Sequence, residues 1–329
     1  MRLKLLGRSG LRVSELCLGA MTFGDGSGIS ATKDESARIL DAYLDAGGNF
    51  VDTANNYANG LSEQHLGELL GDRRERVVLA TKYTGPARPG DPNAMGNHRR
   101  SLVRSLDQSL RRLRTDHVDL LWVHVWDGST PVEEVMRALD DQVRAGKVLH
   151  VGISDVQAWV VSQANTLADL RGWTPFTALQ IEYSLVERTV ERELVPMASA
   201  LGLPVLAWGP LGGGLLTGKY ASGGEGRLSE GDRRLTERNE AIVAALGEVA
   251  GDAGAPPAQV ALAWLRTRPG TVIPILGARS ADQLTQSLGC LEVELSDDHL
   301  RRLDEASAVE LGFPHDFLAM LAARYARAR

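Results

Sequence analysis

The sequence predicts an α/β fold, a closed (β/α)8 barrel forming a single domain over residues 1–329. Three observations predict it. First, an apolar strand, a loop and an amphipathic helix follow one another again and again along the 329 residues. Repeated units of that kind imply a parallel sheet with right-handed crossovers. Second, eight apolar runs of strand length can be counted. Third, the segment after the first of them, Gly19-Ala20-Met21-Thr22-Phe23-Gly24, is not the GxGxxG fingerprint expected of an open doubly wound sheet. No Pro/Ser-rich linker or shift of composition divides the chain, and its length is usual for one barrel.

Leu3 and Leu5 alternate with charge, Gly7 to Gly10 turn, and Leu11 and Val13 alternate again, which reads as a short hairpin. Leu16-Cys17-Leu18-Gly19 is the first buried strand. Ser36 to Ala46 has apolar residues at helical spacing, with Gly47 at its C-terminal end. The further strands are Phe50-Val51, Val77 to Ala80, Val118 to Val123, Val148 to Ile153, Ala178 to Ile181, Pro204 to Ala207 and Val272 to Leu276. Helices over Arg99–Arg112 and Val132–Ala145 lie between them. The longest interval, Trp208 to Gly277, calls for a large extra loop, polar and Gly-rich over Ala221 to Glu230.

Hydrophobic residues make up 43% and charged residues 24%, as in an ordinary globular protein. A net charge of −6 argues against a nucleic-acid partner. The arginines of the tail, Arg324 to Arg329, read as a solvated helix end. Cys17 and Cys290 are the only cysteines and form no metal-binding pattern. With no signal-like segment and no run of membrane-spanning length, the expectation is a cytoplasmic protein without a membrane partner.

The strand ends carry the chemistry. Asp52 stops the second strand and Tyr57 lies five residues on. Lys82 ends the third strand and His124 the fourth. Alone, each has an ordinary explanation: a turn-capping Asp, a packed Tyr, a solvated Lys, a core His. All four falling at the C-terminal ends of adjacent strands is a different matter, because that face of a barrel carries function. Tyrosine is a weak acid near neutrality, and a neighbouring ammonium lowers its pKa by roughly 1–3 units. Asp52 would pair with and orient Lys82, and His124 would donate to a substrate oxygen. Such a group suits protonation of a carbonyl oxygen as a hydride arrives, and the hydride calls for a nicotinamide.

These segments resemble the aldo-keto reductase family. The matching pieces are Leu18 to Gly24, Phe50 to Tyr57, Ala80-Thr81-Lys82, Asp119 to His124, Gly152-Ile153-Ser154, Gln180 to Leu185, Trp208 to Gly214 and Ile275 to Arg279. The resemblance implies a TIM barrel with an N-terminal hairpin and extra C-terminal helices, binding NADPH or NADP+ across its C-terminal mouth. It implies the catalytic tetrad Asp52, Tyr57, Lys82 and His124, with Tyr57 as proton donor. By motif, Ser154 and Gln180 would hold the nicotinamide carboxamide, and Trp208 would stack on its ring. Gly209, Pro210, Leu211, Gly212, Gly213 and Lys219 would embrace the pyrophosphate. Gly277, Arg279, Gln283, Gln286 and Ser287 would meet the adenosine end, with Arg279 on the 2′-phosphate. Ala20, Met21 and Asp52 would lie near the cofactor.

Two positions depart from the family pattern. Asp155 stands where the family usually has Asn, and a carboxylate accepts from an amide NH2 but cannot donate to its oxygen. Ser287 stands where an Asn often lies beside the adenine. Gly213 to Lys219 matches phosphate-loop spacing, but Tyr220 follows instead of Ser or Thr, so no nucleoside triphosphatase is expected. Phe23, Tyr57, His124 and Trp126, with Met21 and Trp159, would shape the site for a small-molecule carbonyl substrate. The run Val125-Trp126-Asp127 resembles bacterial members from sugar and natural-product pathways. The competing expectation is an NADPH-binding, redox-sensing regulatory subunit of the same fold; a metal-dependent hydrolase ranks last.

Overall fold

A computed structural model describes residues 1–26, 28–86, 90–219 and 231–326. Eight parallel strands close into a barrel, as the sequence predicts. Strands β1 (Leu3–Leu5) and β2 (Arg12–Ser14) form the separate antiparallel hairpin. The barrel strands are β3 (Cys17–Gly19), β4 (Phe50–Asp52), β5 (Val78–Tyr83), β6 (Val118–Val123), β7 (Val148–Ser154), β8 (Phe176–Glu182), β9 (Val205–Trp208) and β10 (Val272–Gly277). They pair in chain order, and β10 closes on β3.

One helix follows each of the first six barrel strands: α1 (Lys33–Asp45), α2 (Leu61–Leu70), α3 (Arg99–Leu113), α4 (Val132–Arg144), α5 (Ala158–Arg171) and α6 (Leu194–Leu201). The interval after β9 holds two helices, α7 (Glu237–Ala253) and α8 (Pro257–Arg266), where the sequence suggested a loop. Its Gly-rich stretch, Ala221 to Glu230, lies outside the described residues. Helix α9 (Ala281–Leu288) follows β10, and α10 (Asp297–Ala306) and α11 (His315–Ala326) are the extra C-terminal helices. Arg324 sits in the exposed last turn of α11; the tail's final arginines lie outside the described residues. No helix of the described residues is long and apolar enough to cross a membrane.

Two apolar clusters result from the strand alternation. Outward-facing residues such as Leu79, Leu121, Ile153 and Leu179 pack against the inner faces of the helices. Inward-facing Cys17, Phe50, Ala80, Trp122, Ala178, Leu206 and Ile273 fill the barrel. Leu6 and Val13 of the hairpin belong to this inner cluster, so the hairpin plugs one end of it. Buried Glu15 anchors the plug by accepting from Arg2 and from Arg266 of α8.

The same alternation positions the site. Two residues beyond Phe50, Ala80, Trp122, Ala178 and Leu206 stand Asp52, Lys82, His124, Gln180 and Trp208. Each polar residue is therefore the next inward position of its strand, above the apolar filling. Gly152 belongs to this layer for a steric reason. A Cβ there would stand 2.4 Å from the Trp122 ring, so glycine leaves the room that the indole occupies. Gly152→Ala should lower stability by about 1–3 kcal/mol, the usual range for overpacking a filled core. Urea or thermal unfolding checks this, and an unchanged midpoint would refute the packing argument.

Candidate active site

Asp52, Lys82 and Tyr57 form one hydrogen-bonded group at the C-terminal end of the barrel. Lys82 is fully buried, and its Nζ donates to Asp52 Oδ2, to the Thr53 carbonyl at 2.9 Å and to Tyr57 Oη at 3.1 Å. All three of its protons thus have acceptors, which a buried ammonium requires. Gln180 Nε2 donates to the other Asp52 oxygen at 3.3 Å. Burial works against the ammonium, but Asp52 and then Tyr57 more than offset it, so the Lys82 pKa stands above that of an ordinary lysine. Burial pushes the Asp52 carboxyl up, with Lys82 pulling against it.

His124 follows β6, with its backbone N–H on the Tyr83 carbonyl at 3.1 Å. Its ring stands edge-on to Tyr57, the centroids 5.7 Å apart. Burial first, and the Lys82 charge second, pull the imidazole down to about 3. His124 is therefore neutral near pH 7, with one ring N–H able to donate and no second proton to give up.

The loop bearing Tyr57 is held in an unusual conformation. Tyr57 opens a short 3-10 turn in which Ala58 and Asn59 have φ of 47° and 55°, left-handed values that side chains disfavour. A buried chain of contacts supports it. Thr81, next to Lys82, donates to Glu63 Oε1 at 2.6 Å. Arg112 of α3 donates to Glu63 Oε2 at 2.7 Å and to the Asn55 carbonyl at 3.2 Å.

Tyr57, His124 and Asp52 line a cavity of about 430 Å³. Its wall also includes Met21, Ser154, Asp155, Gln180, Trp208, Gly209, Pro210, Leu211, Gly213, Lys219, Gly277, Arg279, Gln283 and Ser287, all singled out in the sequence. Lys82 stands behind Tyr57 and Asp52, outside the wall. Asp155 faces the cavity with φ of 45° and accepts from the Trp208 indole N–H at 2.9 Å. The enclosing mouth pushes its carboxyl up, and the indole opposes that push. Gln283 Oε1 accepts from the Arg279 backbone N–H at 2.9 Å, and Ser280 caps α9 through the Gln283 N–H.

Other expected residues do not reach this wall. After β3 the chain turns through a 3-10 segment, Ala20–Thr22, which leaves Met21 at the cavity but buries Ala20 and Phe23 in the outer core. Gly212 is buried, and a Cβ on it would stand 2.8 Å from the Val186 side chain. Gln286 is exposed on α9, its carbonyl bonded to Gln259. Trp126 packs half-buried against the outer core, and Trp159 is exposed on α5. The cavity in turn includes Thr22, Ile29, Gly214, Thr217 and Arg234, which the sequence reading passed over. Arg234 carried one faint signal: it closes the cluster Asp232-Arg233-Arg234 just beyond the Gly-rich stretch.

A parallel eight-stranded barrel with a Tyr–Lys–Asp group and a neutral His at its mouth defines a class of carbonyl-handling oxidoreductases. The chain belongs to the aldo/keto reductase family, whose model matches residues 15–308. It is 42% identical to a norsolorinic acid reductase of Emericella nidulans, over 94% of this chain and 82% of that protein. It is 38% identical to a putative aryl-alcohol dehydrogenase of Saccharomyces cerevisiae, over 96% of this chain and 89% of the relative. An uncharacterized oxidoreductase of Bacillus subtilis is 39% identical over 91% and 94%. Family and relatives together support an oxidoreductase.

Arg112→Met leaves the buried Glu63 carboxylate with the Thr81 hydroxyl but no countercharge, so stability should fall by about 3 kcal/mol, near the lower end for a broken buried pair; urea unfolding with no loss would refute the role of the contact chain. The His124 ring should not titrate between about pH 5 and 8, where an ordinary histidine does. Because its folded pKa lies below the ordinary value of about 6.5, stability is lost as pH falls below 6.5 and toward 3. Imidazole NMR shifts against pH check this, and a midpoint near 6 would overturn it.

Proposed function

We propose that the protein is an NADPH-dependent reductase of aldehydes or ketones, with Tyr57 as proton donor. The observation that carries this reading is Lys82 Nζ at 3.1 Å from Tyr57 Oη, its charge backed by Asp52 and its far side closed by protein. The ammonium stabilises negative charge on the phenol oxygen as the proton leaves, a contribution of the size expected of general acids, about 10²–10⁴-fold. Neutral His124 donates to the carbonyl oxygen and orients it toward Tyr57. Gln180 keeps Asp52 in place.

The cofactor supplies a hydride from its nicotinamide ring. Several features of the wall suit it. The Ser154 hydroxyl is buried at the cavity wall, beside the Asp155 carboxylate that it helps to hold, and is placed to meet an amide. Gly213 and Gly214 have φ of 71° and 96°, and such left-handed backbone makes concave anion-binding loops. Lys219, Arg234 and Arg279 add positive charge to that wall. In this reading Trp208 stacks on the nicotinamide, Arg279 and Gln283 serve the adenosine phosphate, and Ser287 faces the adenine.

The substrate class we infer is an aromatic carbonyl compound. Met21, Ile29 and Trp208 give the cavity an apolar, polarisable surface beside Tyr57. The name of the Saccharomyces cerevisiae relative, a putative aryl-alcohol dehydrogenase, points the same way. This narrows the range the sequence left open, which included keto-sugars.

Purified protein should oxidise NADPH in the presence of 4-nitrobenzaldehyde. Tyr57→Phe should lower kcat by at least about 10²-fold, the low end for a lost general acid, while NADPH binding is kept. NADH should be the poorer donor. Tight NADPH binding without turnover of any aromatic aldehyde or ketone would overturn the reductase reading and favour a cofactor-sensing subunit.

A further inference from the structure

Asp155 and Trp208 form a pair that the proposed chemistry has not used. Asp155 directly follows β7 and Trp208 ends β9, with β8 between the two strands. Asp155 is tied down on both backbone sides: its N–H donates to the Gln180 carbonyl of β8, and its carbonyl accepts from the Trp126 N–H, each at 3.3 Å. Its φ of 45° is a value that Asp and Asn tolerate better than other side chains. Fixed in this way, the side chain crosses the end of β8 and takes the Trp208 indole N–H at 2.9 Å. Both residues border the cavity.

An N–H held by a carboxylate is a charge-assisted hydrogen bond, stronger than one to a neutral acceptor. Withdrawing positive charge from the N–H enriches the indole π-system in electron density. The face of such a ring attracts cations, indole best among the aromatic side chains. A nicotinamide ring is neutral when reduced and cationic when oxidised. A ring stacked on Trp208 would therefore gain more from Asp155 in the oxidised form.

We propose that Asp155 is a positioning residue acting through Trp208, fixing the indole and enriching its face so that the site favours the oxidised over the reduced nicotinamide. This inference rests on the reductase reading above. It also gives the departure from Asn a chemical consequence: Asn could accept the same indole N–H, but without the charge.

The test is a double-mutant cycle read by binding. Dissociation constants for NADPH and NADP+ are measured by calorimetry for the unaltered protein, Asp155→Asn, Trp208→Phe and the double variant. Asp155→Asn keeps the side-chain shape and tolerates the same backbone angle. It should weaken NADP+ relative to NADPH by about three- to tenfold, the span of a modest cation–π contribution. In the Trp208→Phe background the same change should leave the ratio unaltered, because no ring N–H remains to receive the carboxylate. In the unliganded protein, the ¹H–¹⁵N indole signal lost in Trp208→Phe should shift upfield in Asp155→Asn. An unchanged ratio in Asp155→Asn overturns the inference alone. So does an equal change in both backgrounds, which would show the carboxylate acting directly on the nicotinamide. An unaltered protein that binds neither dinucleotide overturns the reductase reading, and this inference with it.

Discussion

A charged lysine at the centre of the barrel mouth is the constraint to which the rest of the structure answers. Taking an ammonium out of water costs several kcal/mol even after relaxation. Lys82 offsets that cost with a carboxylate, a carbonyl and a phenol, and each of these comes from the β4 strand or the loop after it. The loop must therefore run close over the end of β5. It does so at the expense of two left-handed residues, Ala58 and Asn59. The ion pair and the strained loop are thus one arrangement: the phenol reaches the lysine because the backbone beyond it is bent, and the Arg112–Glu63 pair keeps it bent.

The barrel explains why this polar group does not disrupt the core. Inward positions come in layers, and the lower layers are filled by Phe50, Ala80, Trp122 and Leu206. On β4 to β9 only the last inward position changes character. The polar residues meet one another across the mouth, where hydrogen bonds can be completed, and the apolar filling below excludes water from Lys82. Trp122 is large enough to fill that layer only because its neighbour on β7 is Gly152. A glycine that looks incidental in the sequence is a packing requirement of the site.

This layering also accounts for what the sequence disclosed. Asp52, Lys82, His124, Gln180 and Trp208 were legible because each ends an apolar run, and strand periodicity fixes which way such residues point. Ala20 and Phe23 turn their side chains into the outer core because the chain leaves β3 in a 3-10 turn, which breaks that periodicity. Helices α7 and α8 were missed for two reasons. Gly247 and Gly251 interrupt the pattern of α7, while Val260 to Leu265 of α8 is buried on all sides and reads as well for a strand. The Asp155–Trp208 contact spans three strands and 53 residues, and nothing local announces it.

The neutrality of His124 follows from the same arrangement. An imidazole so close to a permanent ammonium, and so well enclosed, has no compensation for a second positive charge. If it were protonated, it would be a second acid beside Tyr57, which the proposed reaction makes the proton donor. In the proposed reaction, a neutral imidazole leaves proton delivery to Tyr57, the residue in contact with Lys82. The buried charge thus sets the two groups apart: it is hydrogen-bonded to the phenol and opposes gain of a proton by the imidazole. Two side chains that both meet the cavity are given different roles by a third that does not.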